Sequence, residues 1–176
     1  MHFGALAVQY FVSGRAAGLS HMLPVAGNLL HHAVEMALKA DLAARHDIAK
    51  LKQLGHSLPR LWGEFKAAHP TPVPPKLDEV VKRLHDFEEL RYPDSIVKFG
   101  AMIEWTISPE SVVAGNTPPP GVPRYLLVLN DVDELMNFVF ERASINPLFY
   151  TGAMAVDAKQ FLTTSNPFAE GWSAGV

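Results

Sequence analysis

The chain has no cysteine among its 176 residues. Disulfides, thiolate zinc sites and cysteine nucleophiles are therefore excluded, and any metal would have to be held by His, Asp and Glu. The same lack suits a cytoplasmic protein. Long apolar runs are missing as well. Residues 1–34 carry one charge, Arg15, yet their longest apolar run, Phe3 to Val12, is broken by Gln9. That run falls well short of the ~20 residues that cross a bilayer. No lysine or arginine precedes it, which argues against a signal peptide. Two buried helices are expected there, with no membrane association. A large excess of charge of one sign is also lacking, with 15 Lys and Arg against 18 Asp and Glu. A net charge of −3 and a pI near 6.2 give no global pull toward nucleic acid.

What is present is ordinary for a globular chain: 48% hydrophobic and 19% charged residues, in a length that suits one domain. The first helix is predicted from about Phe3 to about His21. Pro24 fits the first turn of a second helix running to about Ala43, because its missing N–H would be unpaired there anyway. The short connection makes the two helices antiparallel. Asp47 caps a short helix stopped by Gly55, and Ser57 caps another with Pro59 in its first turn. HPTPVPP, residues 69–75, reads as a stiff linker. Residues 76–92 form an amphipathic helix with Leu77, Val80, Val81, Leu84 and Phe87 in one stripe, ended by Pro93.

The period then changes to two. Phe99, Ala101, Ile103, Trp105 and Ile107 alternate with Gly100, Met102, Glu104 and Thr106, and RYLLVLN at 124–130 is a second strand candidate. A proline-rich loop joins them, so a β-hairpin is expected over about 99–130, leaning on the helices or on a second subunit. Asp131-Val-Asp-Glu134 reads as a capping-box start to another helix, with Val132, Leu135, Met136 and Val139 inward. The expected fold is mainly α: one domain over 1–176, an up-and-down bundle of four or more helices with the hairpin as an insertion.

NLLHHAVEMALKA, residues 28–40, places polar groups in an apolar helix. Asn28, His32, Glu35 and Lys39 recur at steps of four, three and four, and so form one line, with His31 beside it. Three readings compete. The line is solvated, with a Glu35–Lys39 pair. Or it belongs to an internal network in which Arg15, roughly 5 Å along the axis from the level of Glu35, is the partner. Or His31, His32 and Glu35 hold a metal. A di-metal bundle needs matching motifs on facing helices, and His21, His56 and His85 come without matching carboxylate spacing. No metal and no cofactor is therefore expected.

The order YF…A, Pro24, HHAVEMALKADL, LGHSL and FEELRYPD resembles the HEPN-like helical domains of bacteria. Their landmarks are matched by Glu35-x-x-x-Lys39, by Gly55-His56-Ser57-Leu58 and by Arg91-Tyr92-Pro93-Asp94, across about residues 3–95. The resemblance implies a helical bundle, often dimeric, that associates with nucleotide, RNA or a partner protein. Some members cleave RNA without metal, using an Arg followed a few residues later by His near the start of the last bundle helix. Here Arg142 is followed by Ala-Ser-Ile-Asn-Pro and no histidine. Arg15 and His21 have that spacing but lie on the first helix.

The expectation is thus a non-catalytic binding or partner module, with Arg15, His32, Glu35, Lys39, His56 and Arg91 as ligand-binding candidates and no catalytic residue assigned. The alternatives are a metal-independent ribonuclease using Arg15 and His21, and a structural homodimer subunit joined through Trp105 and Tyr125.

Overall fold

A computed structural model describes residues 3–113 and 115–172. Helices α1 (Phe3–Leu19) and α2 (Leu23–Leu42) form the antiparallel hairpin expected from sequence. A glycine lets them approach closely: a Cβ at Gly14 would sit 2.7 Å from Leu30 Cγ. The turn between them closes with His21 in the left-handed region, φ 58°. The His21 N–H donates to Gly18 O and the Met22 N–H to Ala17 O, which satisfies carbonyls at the end of α1.

Helix α3 (Ile48–Leu54) starts where Asp47 accepts from the Lys50 N–H at 2.7 Å, and stops at Gly55, φ 63°. Helix α4 (Leu58–Ala68) follows, with Pro59 in its first turn. Its Ser57 makes no side-chain cap, contrary to expectation. The linker runs to Pro74, and α5 (Pro75–Asp86) continues as a 3-10 turn over Phe87–Arg91. All five residues of the predicted stripe are buried. A Cβ at Gly27 would lie 2.0 Å from the Phe87 ring, so only glycine lets this turn lie flat on α2.

The segment after Pro93 departs from the prediction. Residues expected to lead into a strand form α6 (Pro93–Phe99). The strands are β1 (Met102–Thr106) and β2 (Arg124–Val128), and they pair in parallel, Met102 opposite Arg124 and Thr106 opposite Val128. The expected hairpin is therefore a crossover. Residues 107–123 are long enough to carry the chain back to the starting edge, which a tight turn cannot do. The Asn130 N–H donates to Ile107 O and ties the ends of this unit together.

Helix α7 (Leu129–Arg142) begins directly from β2 without a side-chain cap. The predicted capping box at 131–134 is thus not used. Asp131 faces Arg83 at 3.5 Å, Glu134 pairs with Lys76, and Asp133 points inward. Helices α8 (Leu148–Thr151) and α9 (Val156–Thr163) bring the chain back across α1. Trp172 is fully buried between Phe11 and Phe140, with ring centroids 4.8 and 5.0 Å away. One apolar core runs through α1–α5, α7 and α9, each fully buried Leu or Phe contributing about 1.5–3 kcal/mol, with Ile96 of α6 and Tyr150 of α8 packed against it. Among the described residues no helix is long and apolar enough to cross a membrane.

Candidate functional site

The polar line of α2 is not a wet face. Glu35 is 0% exposed, and Lys39, one turn later, is also buried. Glu35 Oε1 accepts from Lys39 Nζ at 2.6 Å. Its Oε2 accepts from His32 Nδ1 at 3.2 Å. His56 Nδ1 bridges both oxygens, at 3.0 and 3.1 Å. A carboxylate only accepts, so both imidazoles carry their proton on Nδ1. His56 reaches this position because Gly55 turns the chain sharply between α3 and α4.

Burial is the largest influence on Glu35 and pushes its pKa upward. The hydrogen bonds from His32, Lys39 and His56 together outweigh it and hold the group at about 2, against an ordinary 4.5. The result is a permanent buried anion that orients three nitrogen donors from two parts of the chain. His56 is the outermost, with its side chain 61% exposed. With Nδ1 committed to Glu35, Nε2 is the atom His56 offers to solvent or a ligand.

Arg15 does not join this group. It is 0% exposed, as the internal-network reading requires, but its partner is Asp133 of α7 rather than Glu35. Nη1 donates to Asp133 Oδ1, Nε to Phe161 O at 2.6 Å, and Nη2 to Thr164 O. Position along a hairpin gives the level of a side chain but not its direction around the axis. Arg15 faces the C-terminal segment, while Glu35 faces α3 and α4. Asp133 Oδ2 is buried with no hydrogen-bond partner. Burial raises the Asp133 pKa to about 6, and the neighbouring guanidinium only partly opposes it.

Arg91 also stays apart. It is exposed on the 3-10 turn, with Nη1 3.6 Å from Glu88 Oε1. His21 packs against Trp105, ring centroids 4.9 Å apart. Four of the six candidates therefore converge: His32, Glu35, Lys39 and His56.

No protein-family model, curated protein or solved structure matches the chain.

Two groups escaped the sequence reading. Asp133 lies within the expected cap, yet Leu129, Asp133, Met136 and Phe140 recur at four, three and four, which places it on the core stripe. His85, expected to come without a matching carboxylate, has Glu88 three positions later, with Nδ1 and Oε2 3.7 Å apart. His31, set beside the polar line, is buried with Nδ1 3.1 Å from Leu84 O.

Proposed function

We propose that the protein is a non-catalytic, HEPN-like cytoplasmic binding module. It takes a phosphate-bearing ligand, a nucleotide or an RNA segment, on the face where His32, Lys39 and His56 meet around Glu35. The observation that carries this reading is the fully buried Glu35 carboxylate holding three nitrogen donors, one of them largely exposed. Such an anion fixes the direction of imidazole N–H groups before a ligand arrives, which lowers the ordering cost of binding.

The ribonuclease alternative has less support. All three nitrogens of Arg15 are engaged inside the protein, and His21 packs on Trp105. The strand aromatics are equally poor candidates for a homodimer contact, since Tyr125 is buried and its hydroxyl donates to Glu89 at 3.1 Å. A homodimer is better served by the exposed apolar side chains of Val97 and Phe99 on α6. Solution mass over a concentration series tests it.

Fluorescence anisotropy with labelled single-stranded RNA and a labelled adenine nucleotide tests the ligand face. Saturable binding that weakens with salt is expected, with the RNA left at full length on a gel. His56→Ala should weaken binding about tenfold or more, the worth of one charge-assisted hydrogen bond. Absence of binding at low salt, or equal binding by His56→Ala, would remove this reading.

A further inference from the structure

A second histidine group lies on the other side of α2, where His31 meets the end of α5. The carbonyl of Leu84 can only accept, so the bond at 3.1 Å places the His31 proton on Nδ1 and leaves a bare lone pair on Nε2. The side chain is 1% exposed, and Nε2 has no hydrogen-bond partner. His85 Nδ1, from the residue after Leu84, is likewise buried with no hydrogen-bond partner. The two rings stack with centroids 6.0 Å apart at 29°.

One donor atom from each of His31, His85 and Glu88 lies within 4.8 Å of the other two. Bonds of 2.0–2.2 Å in a tetrahedral shell separate ligand atoms by about 3.4 Å. The His85–Glu88 pair, at 3.7 Å, is already near that spacing. The separations from His31, each within 4.8 Å, would have to close by up to about 1.4 Å to form a coordination shell. A metal-binding histidine commonly has its far N–H anchored on a backbone carbonyl in this way, which fixes the tautomer and the ring direction.

From this geometry we propose that His31 Nε2, His85 Nδ1 and Glu88 bind a divalent cation of the Zn2+ class, with water in the fourth position. Imidazole and carboxylate donors without thiolate suit zinc and its first-row neighbours. Glu88 Oε1 faces Arg91, which leaves Oε2 toward His85 and makes Arg91 a positioning residue. His31 also approaches His32 and Glu35. That alternative is disfavoured, because Glu35 is already saturated and an ammonium sits 2.6 Å from it. The metal site does not rest on phosphate binding: it uses different residues, and its test needs no nucleotide.

The full chain, stripped with chelator, is titrated with Zn2+ by calorimetry and with Co2+ by visible absorption. One equivalent should bind, with the intense d–d bands of a tetrahedral site. His85→Ala and Glu88→Gln should each weaken affinity about tenfold or more. Both substitutions are at partly exposed positions, and circular dichroism confirms that they fold. His46→Ala, at a surface histidine elsewhere, should bind as the parent does. Failure to reach one saturable equivalent, or unchanged affinity in His85→Ala and Glu88→Gln, overturns the proposal.

Discussion

Two of the carboxylates buried in this bundle, Glu35 and Asp133, have moved in opposite directions. Glu35 is held at about 2 and Asp133 is raised to about 6. The difference lies in donors. Glu35 has three nitrogen partners distributed over both its oxygens, whereas Asp133 has Arg15 on Oδ1 and nothing on Oδ2. Desolvation acts on both, and the number of satisfied lone pairs decides which effect wins. The first group opens to the surface through His56. The second is sealed by α9 and couples three distant parts of the chain. A buried ion pair can thus be a structural bolt or the base of a surface site, and the partners show which.

The sharpest way to break this comparison is to remove one end of the sealed pair. Arg15→Ala or Asp133→Ala leaves a lone charge in the core and should lose about 3–5 kcal/mol in urea denaturation. The double substitution should lose far less than the sum. Additive losses would mean that the two groups do not depend on each other.

The next effect is the pH dependence, where the two carboxylates should give slopes of opposite sign. The folded pKa of Glu35 lies below its ordinary 4.5, so its contribution is present above that value and lost as pH falls toward about 2. At 1.36 kcal/mol per unit this amounts to about 3 kcal/mol. Glu35→Gln should therefore be less stable than the parent by about that amount at pH 7, and the gap should close in strong acid. The folded pKa of Asp133 lies above its ordinary 3.8, so its contribution is present below that value and lost as pH rises through about 6. Denaturation curves collected across this range, with and without Glu35→Gln, separate the two slopes.

The smallest effect is expected at His56. Its ring is mostly exposed and two other donors remain on Glu35, so His56→Ala should cost under about 1 kcal/mol. A larger loss would move His56 from the ligand face to the scaffold.

Helix starts and stops were legible because they depend on local chemistry: Pro24, Asp47, Gly55 and Pro59 each act within a turn of themselves. The convergence of His32, Glu35 and Lys39 follows from helical spacing alone, and His56 could be suspected only from the resemblance. Strand direction was hidden, because alternation reports which face a residue occupies and not which way its neighbour runs. The partner of Arg15 was hidden for a related reason: the hairpin fixed its height, while the packing of α7 and α9 fixed its direction. Asp133 and Glu88 are legible by spacing, each an acid on an otherwise apolar or amphipathic stripe.

Arg15 donates to carbonyls 146 and 149 positions later in the chain. During synthesis, α1 emerges from the ribosome long before those acceptors have been made. The nascent hairpin must keep a guanidinium in water, and cannot close its core around it, until α9 arrives. A product cut short before residue 133 would therefore carry an unmet charge at its centre, and one cut between 133 and 161 would leave Arg15 Nε and Nη2 without their acceptors, marking either for the chaperones and proteases that patrol incomplete chains.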